Sequence, residues 1–309
     1  MDKQVWVIGE LNVDLIFSGK NVTPEPNREK LVDSFEQQLG SSSAITASGL
    51  AGLGVQTVLV SVVGDDDFGR FCVSRLQELG VETRYISIDA SRQTGVTLSL
   101  SDGKDRALLT YMGTIGDVTL ELIPEEMYQM ADHIHFGSFY LQEQMRSRWI
   151  EVFRKAQAAG ISTSFDAGWD PGENWDRENL KALLPYTDWF IPSEEEVERI
   201  FEIDSLDRLP EALPADRRGI AVKMGSKGSL LVDAAGVVRK GEPYQVVPVD
   251  TTGAGDSFNA GLIFAYLQGL DGEEMLATAN ACGALSTQSV GGTGVLTLSA
   301  LEAFLASKS

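Results

Sequence analysis

Short apolar segments alternate with longer amphipathic segments along most of the 309-residue chain. The apolar segments are rich in β-branched residues, which is typical of strands in a parallel sheet covered on both faces. We predict strands at 5–9, 57–64, 133–137, 162–166, 188–192, 220–225 and 229–233. We predict helices at 69–80, 146–160, 193–202 and 256–269. This alternation predicts an α/β fold, with a wound sheet between two helical layers in a single domain over residues 1–309.

Residues 94–113 break this rhythm, because apolar and polar positions alternate there around an Asp-Gly-Lys sequence. A period of two around a glycine-containing turn predicts a β-hairpin. Together with the polar segment 16–38, the hairpin is predicted to form a small β lid over one edge of the main sheet. Such lids exclude water from a site. The exposed edge of the lid could also pair with a second copy of the chain, which would give a homodimer.

The charge balance restricts the partners of this chain. It has 45 Asp and Glu residues against 25 Lys and Arg residues, a formal net charge of −20. A surface with this charge repels nucleic acid and anionic lipid, so neither is an expected partner. The first apolar run is too short for a secretion signal or a membrane span, and the two cysteines form no CxxC pair. We therefore expect a cytoplasmic protein.

The sequence Asp-Thr-Thr-Gly-Ala-Gly-Asp at residues 250–256 precedes an apolar helical segment. Residues with little or no side chain at Gly253, Ala254 and Gly255 would let an anion approach the free amides at the helix start. Asp256 would repel that anion unless it served as a base for a hydroxyl group between them. The alternative is structural: Asp256 caps the helix and the glycines permit a tight turn.

Two other patterns are interpreted as structural. His133 and His135 share one face of a predicted strand, but no third metal ligand lies near them in the sequence. The acidic run 65–67 is expected to cap the helix that follows. Neither a P-loop nor a Rossmann fingerprint has the required spacing anywhere near the glycine-rich segments.

The segment 250–262 resembles the C-terminal signature of the ribokinase-like (PfkB-type) carbohydrate kinases at nearly every position. Further matches follow in the order of that family, at 9–14, 39–54, 63–71, 191–196, 222–231 and 280–294. The resemblance implies the ribokinase-like three-layer fold and ATP-dependent phosphorylation of a hydroxyl on a small sugar, with Mg²⁺ as cofactor. In that scheme Asp256 is the catalytic base, and Gly253, Ala254 and Gly255 stabilise the transferred phosphoryl group.

On the acceptor side, the resemblance assigns the sugar to Asn12, Asp14, Gly40, Ser41 and Ser42. Two positions depart from the family pattern, because Ser41 replaces a glycine and Ile45 replaces an asparagine. The serines of this segment are also good helix caps, and both interpretations can hold together. Asp14 could otherwise be a surface turn residue.

On the nucleotide side, the resemblance assigns ATP to Lys223, Gly225, Ser226, Lys227, Gly228, Asn280 and Gly283. A simple β-turn needs the same glycines at 225 and 228, and the small residues near 280 could serve close helix packing. Glu196 matches the acid that organises Mg²⁺ through water, although Ser193 stands where the family has asparagine. Ser193 and the acids after it also form a favourable helix start.

Asp250 and Thr252, with backbone carbonyls of the loop 289–294, match the region where many members of the family bind a monovalent cation, so the resemblance implies potassium as a second cofactor. The predicted function is ATP-dependent phosphorylation of an unphosphorylated sugar, because the lysine and asparagine variants of the early glycine motif are missing. The alternatives are a nucleoside kinase of the same family and a catalytically silent protein that binds a sugar or nucleotide. An intact Asp256 argues against the silent protein.

Overall fold

The computed structural model describes residues 3–102, 106–289 and 291–308. The strands are β1 (Gln4–Ile8), β2 (Asn12–Ser18), β3 (Ser34–Leu39), β4 (Gln56–Gly64), β5 (Ile86–Asp89), β6 (Gly95–Ser101), β7 (Arg106–Tyr111), β8 (His133–Phe136), β9 (Ser162–Phe165), β10 (Trp189–Phe190), β11 (Gly219–Lys223), β12 (Ser229–Val232) and β13 (Val238–Gly241). The helices are α1 (Ser42–Gly52), α2 (Asp67–Glu78), α3 (Met127–Met130), α4 (Trp149–Ala158), α5 (Arg177–Leu183), α6 (Glu194–Phe201), α7 (Leu209–Ala212), α8 (Ala254–Leu267), α9 (Gly272–Ser286) and α10 (Leu298–Ala306). Short 3-10 turns lie at Leu120–Leu122, Leu184–Tyr186, Leu206–Arg208 and Gly225–Lys227.

The main sheet of the described residues has the strand order β13-β12-β11-β10-β9-β8-β1-β4-β5. The strands from β11 to β5 in that order are parallel, and β12 and β13 add an antiparallel hairpin at one edge. The predicted parallel strands are confirmed, with ends that differ by up to a few residues. Strands β5 and β13 were not predicted, since both are short and largely exposed or half-buried.

Helices cover both faces of this sheet, which confirms the predicted fold class. Alternate residues of β1 point to opposite faces of the sheet. Trp6 and Ile8 pack with α4, α5 and α6 on one face. Val5 and Val7 pack with α1, α2 and α8 on the other face. On the first face the Phe136 ring stacks on Trp149 with centroids 3.8 Å apart. Because each face buries many large apolar side chains, the sheet gives a rigid platform for the residues at its edge.

The segments predicted to form the lid belong to a second sheet with the order β3-β2-β6-β7, and we use the name lid for this sheet. Strands β6 and β7 form the predicted antiparallel hairpin, and β2 pairs with β3 in the same way. The two hairpins join through parallel pairing of β2 with β6, in register from Asn12 opposite Gly95. The pairing in this sheet begins at Asn12, whereas the lid was predicted from about residue 16, and its role as a lid stays a prediction. Residues 103–105 of the predicted turn lie outside the described residues, and a homodimer through the lid stays a prediction.

The parallel strands bring several polar residues to one edge, because their carboxyl ends all lie on that edge. Glu10 follows β1, Ser138 follows β8, Asp166 follows β9, and Lys223 ends β11. By contrast, His133 and His135 are fully buried in β8, where both ring nitrogens of His133 and Nδ1 of His135 pair with serine hydroxyls of β9 at 2.7 to 2.8 Å. Among the described residues, no helix is long and apolar enough to cross a membrane.

Candidate active site

The site is organised around the start of α8. Gly253 precedes the helix with φ = 72°, and a Cβ at this position would lie 2.7 Å from Gly292 Cα and 3.0 Å from Ile45 Cγ2. A glycine is therefore needed both for the backbone angle and for the space. The Ala254 amide donates to Thr251 O at 3.2 Å, so it closes the turn in this structure. The next amides of a first helical turn have no acceptor within the helix. The helix start at Gly255 is therefore suited to binding an anion.

Asp256 occupies the first turn of α8 and is half-buried. Its Oδ1 accepts a hydrogen bond from Ser42 Oγ at 2.6 Å. Burial and the nearby charge of Asp166 raise the pKa of Asp256 to about 6, while the Ser42 bond and the Lys223 charge oppose that increase. A carboxylate with a pKa close to neutral is ionised at pH 7 and basic enough to accept a hydroxyl proton.

The first cavity beside Asp256 has a volume of about 210 Å³. Its walls come from the second sheet, the N-terminus of α1, the start of α8 and the segments after β1, β7 and β8. The lining residues are Glu10, Asn12, Asp14, Ile16, Ser41, Ser42, Ile45, Thr97, Ser99, Leu108, Thr110, Ile115, Ser138, Leu141, Thr252, Gly253 and Asp256. Four of the five residues assigned to the sugar therefore lie in one cavity with Asp256, and Gly40 packs directly behind it. Among the described residues, this lining holds three carboxylates and no lysine or arginine.

Gly40 makes room for the two polar residues at the start of β2. A Cβ at Gly40 would collide with Asp14 Oδ1 and would lie 2.6 Å from Asn12 Nδ2. Asn12 Nδ2 in turn donates to Asp14 Oδ1 at 3.1 Å and to Thr97 Oγ1 at 3.3 Å. The glycine thus permits this hydrogen-bonded pair, and each carboxylate oxygen of Asp14 can accept more than one hydroxyl donor.

Ser41 adopts φ = 80°, a left-handed angle that glycine tolerates better than serine. Its Oγ donates to Glu10 O and accepts from the Ala44 amide at 3.0 Å, so it caps α1. The same residue lines the first cavity. Both interpretations of the serine segment, as helix cap and as cavity wall, therefore apply to Ser41.

Glu10 is a site residue that the sequence analysis missed. It is 2% exposed, and its carboxylate accepts from Ser43 N at 3.2 Å, Ser43 Oγ at 2.9 Å and Ser138 Oγ at 2.9 Å. These bonds tie the loop after β1 to α1 and to the loop after β8. The available signal was an acid directly after the glycine that ends a buried strand, since such an acid lies at the carboxyl edge of the sheet.

A second cavity of about 520 Å³ lies on the other side of the α8 turn. It is lined by Ser193, Lys223, Gly225, Ser226, Gly228, Pro243, Tyr244, Gln245, Val246, Pro248, Thr251, Ala254, Gly255, Phe258, Asn280, Gly283, Ala284 and Thr287. Six of the seven residues assigned to ATP are among these. Lys227 is not, because its Nζ pairs with Glu194 Oε2 at 2.8 Å on the surface.

Two features of this second cavity depend on the local backbone. Gly228 has φ = 89°, and a Cβ there would collide with Gly241 O. Asn280 Nδ2 donates to Glu242 O at 3.1 Å and thereby connects α9 to the segment after β13. The cavity wall is thus built largely from backbone that approaches closely and from apolar side chains.

A buried ion pair contributes its lysine to the wall of the second cavity. Lys223 Nζ pairs with Asp166, which also accepts from Asn259 Nδ2 at 2.7 Å. Burial alone would raise the pKa of Asp166 and lower that of Lys223, but their mutual attraction shifts each in the opposite direction and keeps both charged. The Lys223 ammonium lies 3.6 Å from the point where a Cβ on Gly255 would be, so a positive charge faces the helix start.

Glu196 and Ser193 form a reciprocal cap at the start of α6. Ser193 N donates to Glu196 Oε2 at 2.8 Å, and Glu196 N donates to Ser193 Oγ at 3.3 Å. Burial and the charge of Asp166 raise the pKa of Glu196 to about 7. No group of three or more potential metal ligands occurs among the described residues. A Mg²⁺ ion held mainly by phosphates and waters, with one carboxylate nearby, fits this arrangement.

Asp250 organises the turn before α8. Its Oδ1 accepts from Thr252 N at 2.9 Å and Thr252 Oγ1 at 2.8 Å, and its Oδ2 accepts from Gly291 N at 3.0 Å. The two loops predicted to hold a monovalent cation are therefore adjacent. Val290, whose carbonyl belongs to that prediction, lies outside the described residues.

Consecutive residues of one turn face the two cavities. Thr252, Gly253 and Asp256 line the smaller cavity, whereas Thr251, Ala254 and Gly255 line the larger one. The two cavities therefore meet at the start of α8. A group held in one of them can react with a group held in the other across this turn.

Comparison with known proteins gives matches over nearly the whole chain. The profile of the pfkB family carbohydrate kinases matches residues 2–297. The ATP-dependent ribose-1-phosphate kinase of Halopiger xanaduensis is 35% identical over 307 residues, which are 99% of each chain. The fructokinase of Vibrio alginolyticus is 30% identical over 93% of this chain and 94% of its own. An E. coli protein assigned as a ribokinase II, in complex with ATP and Mg²⁺, is 26% identical with a TM-score of 0.85 over 99% of each chain.

Proposed function

This chain belongs to the pfkB family of carbohydrate kinases, and from that premise we propose that it transfers the γ-phosphoryl group of ATP to a hydroxyl of a small, unphosphorylated sugar. The observation that carries the proposal is the α8 turn that faces both cavities. The smaller cavity has the volume and the hydroxyl-rich lining for a sugar, and the larger one has the volume and apolar wall for a nucleotide.

The acceptor sugar is bound in the smaller cavity. Asp14 accepts its hydroxyl donors, and Asn12 orients Asp14 through their hydrogen bond. Gly40 keeps the space that this pair requires, and the lid strands exclude water from above. These contacts position one acceptor hydroxyl against Asp256 at the end of the cavity.

Asp256 then removes the proton of that hydroxyl as the oxygen attacks the γ-phosphorus. The bond between the γ-phosphorus and the β,γ-bridging oxygen breaks, and ADP leaves with the electron pair of that bond. The Gly253–Gly255 turn and the Lys223 ammonium stabilise the charge on the transferred group from the other side. The proton remains on Asp256 until it is released to solvent.

ATP occupies the larger cavity. Gly225 and Gly228 let backbone approach the nucleotide, while Asn280 and Gly283 flank the base. When bound, Mg²⁺ neutralises phosphate charge and orients the terminal phosphates. Glu196 is the carboxylate that would hold it through water. Asp250 and Thr252 are the residues we assign to a potassium ion, which would stabilise the turn beneath the phosphates.

A coupled assay of ADP formation tests this function. The panel contains ribose, fructose, 2-dehydro-3-deoxygluconate, adenosine and ribose 1-phosphate, each with ATP and Mg²⁺, in potassium or sodium salts. We expect phosphorylation of a neutral sugar, and a loss of about 100- to 10,000-fold in kcat for the isosteric Asp256→Asn variant. Asp207→Asn, an exposed aspartate far from α8 in the sequence, is the matched control and should keep full activity.

The outcomes separate the alternatives. Turnover that survives in Asp256→Asn contradicts the mechanism, and ATP binding without turnover of any acceptor identifies a silent binding protein. Adenosine as the best acceptor identifies a nucleoside kinase. Faster turnover in potassium than in sodium salts supports the cation assignment.

Phosphorylation of a sugar phosphate is the second candidate, because the 35% identical relative is named for ribose 1-phosphate. A third cavity of about 390 Å³ beneath the lid adjoins the smaller cavity and includes Lys20. Its described lining also holds Asp33, Glu36, Asp102 and Asp250, which repel a phosphate group. The neutral sugar is therefore the better fit, and a higher kcat/KM for ribose 1-phosphate would reverse this order.

A further inference from the structure

Ser42 connects the lid side of the molecule to the proposed base. It is the first residue of α1, and its hydroxyl donates to Asp256 Oδ1 at 2.6 Å across 214 positions of sequence. We propose that Ser42 is a positioning residue for Asp256 rather than a contact for the acceptor sugar. By engaging one carboxylate oxygen, it directs the other toward the acceptor hydroxyl. This inference rests on the proposed role of Asp256 as the base.

The direction of the hydrogen bond follows from the chemistry of the two groups. An ionised carboxylate only accepts hydrogen bonds, so the serine must donate its single proton. A hydroxyl bound to a carboxylate at this distance forms a short, charge-assisted bond. The Ser42 proton is thus occupied, and Ser42 can offer a sugar only its lone pairs.

A second contact between the same two helices holds Ser42 in place. Thr46 lies one turn further along α1, and its Oγ1 donates to the backbone carbonyl of Asp256 at 3.3 Å. Residues four apart lie on one face of a helix, so one face of α1 contacts both the side chain and the backbone of Asp256. Two hydrogen bonds from α1 to Asp256 therefore link α1 to α8 at the proposed catalytic base.

The charges around Asp256 explain why it needs this partner. Asp166 at the end of β9 and Glu10 after β1 are negative and disfavour an ionised Asp256. Lys223 on β11 supplies the opposing positive charge from the nucleotide side. Without Ser42, the attraction of Lys223 would draw the carboxylate away from the acceptor cavity. Ser42 opposes this from the acceptor side.

The route of the chain couples this bond to the lid. Strand β3 of the lid ends at Leu39, and only Gly40 and Ser41 separate it from Ser42. Ser41 holds a left-handed backbone angle and caps α1, so the path from the lid strand to the helix is a tight turn.

The test compares Ser42→Ala, Ser42→Thr and Ser48→Ala. Ser48 is a matched control, because it lies on α1 and donates to Ala44 O at 2.8 Å without contacting Asp256. The first measurement is a ¹³C NMR titration of the Asp256 carboxyl group, assigned by its loss in Asp256→Asn. In Ser42→Ala we expect the midpoint of the Asp256 titration to move to higher pH by roughly half a pH unit or more. In Ser42→Thr and Ser48→Ala the midpoint should stay close to that of the parent protein.

The second measurement is the pH profile of kcat/KM for the acceptor. In Ser42→Ala the acid limb of this pH profile should also move to higher pH. At neutral pH, kcat should fall about 10- to 100-fold, while KM for ATP stays unchanged. Ser42→Thr, which keeps the hydroxyl, should restore most of the activity.

Two results would overturn the inference. One is an Asp256 titration that is the same in Ser42→Ala and the parent protein. The other is a raised KM for the acceptor with an unchanged acid limb, which would make Ser42 a sugar contact. If the parent protein phosphorylates no acceptor, the proposed function fails, but the NMR titration still decides whether Ser42 controls Asp256.

Discussion

The two cavities that meet at α8 are built in different ways, and we name them the acceptor cavity (the smaller) and the nucleotide cavity (the larger) after the substrates that we propose for them. The acceptor cavity is small, about 210 Å³, and its polarity comes from carboxylate and hydroxyl side chains. The nucleotide cavity is larger, about 520 Å³, and is formed mainly by glycine turns, apolar side chains and one ammonium group. Side chains are easily exchanged during evolution, whereas a backbone turn is harder to replace.

This contrast indicates where selectivity resides. On the acceptor side a single substitution changes which hydroxyl groups find a partner, so it changes the choice of sugar. On the nucleotide side a substitution must disturb the backbone or the buried ion pair before it has a large effect. Two of the positions that depart from the family pattern, Ser41 and Ile45, lie on the acceptor side, and a third, Ser193, lines the larger cavity.

The largest expected effect is at Asp256, where the two sides meet. Beyond the loss of activity, Asp256→Asn should stabilise the protein above pH 6. The pKa of Asp256 in the folded protein, about 6, exceeds its ordinary value, so the parent protein loses stability as the pH rises from about 4 to 6. The amide does not ionise, and the variant should gain roughly 1 to 3 kcal/mol over the parent at pH 8.

Urea unfolding at several pH values measures this difference. Part of the Asp256 side chain faces the cavity, so solvent screening reduces the gain. The two proteins should have similar stability near pH 4. A difference that does not grow between pH 4 and 7 would contradict the assigned cause of the pKa shift.

The next largest effect is expected at Lys223 on the nucleotide side. Lys223→Met leaves the buried Asp166 and Glu196 without their positive partner, which should cost about 3 to 5 kcal/mol of stability. The affinity for ATP should fall about 10- to 100-fold, since a charge contact to phosphate is lost. Urea unfolding and calorimetric titration measure the two changes.

Lys227→Met is the matched control for that experiment, because Lys227 pairs with Glu194 on the surface. Its effect on stability should be much smaller than that of Lys223→Met, because an ion pair in water contributes little. If the two variants behave alike, the nucleotide side does not depend on the buried pair, and the contrast between the cavities is weaker than described.

Effects of intermediate size are expected at two glycines, one beside each cavity. Gly40→Ala places a Cβ against Asp14 and Asn12, so KM for the acceptor should rise about tenfold while ATP binding is unchanged. Gly228→Ala forces a Cβ against Gly241 O and an unfavourable φ, so ATP binding should weaken instead. Kinetics with the acceptor and ATP varied separately measure both effects. A raised KM for ATP in Gly40→Ala, or for the acceptor in Gly228→Ala, would contradict the prediction.

The smallest effect is expected for Ser41→Gly. The variant relieves the left-handed angle of Ser41 but loses a helix cap, and these changes offset each other to within about 1 kcal/mol. The removed side chain enlarges the acceptor cavity, so the preference among sugars should relax by a few fold. A strongly destabilised variant would show that the cap outweighs the strain.

Most of the fold could be predicted because its strands are buried on both faces and read as continuous apolar runs. The lid hairpin could be predicted from its alternating pattern as well. The parallel pairing of β2 with β6 could not, since nothing local to either strand identifies a partner so distant in sequence. Strands β5 and β13 are short and carry no strong pattern.

The residues of the candidate site also include some that could be predicted from the sequence and some that could not. Residues inside recognisable motifs, such as Asp14 and Asp256, were assigned from sequence and lie in one cavity. Glu10 and Asp166 were missed, because their importance comes from hydrogen bonds made only after the strands assemble. Lys223 and Lys227 could not be told apart in sequence, where both accompany the same glycines, yet only Lys223 is among the residues that line the nucleotide cavity.

The join between β2 and β6 has a consequence for folding. Their pairing at Asn12 and Gly95 closes a long chain segment that includes α1, β4 and α2. Closing such a loop costs entropy before the contacts repay it, and non-local pairing of this kind slows folding. As the nascent chain leaves the ribosome, β2 lacks its parallel neighbour until β6 has been synthesised. We expect the pairing of β2 with β6 to become protected from hydrogen exchange later than the β6–β7 hairpin, whose strands are adjacent in sequence.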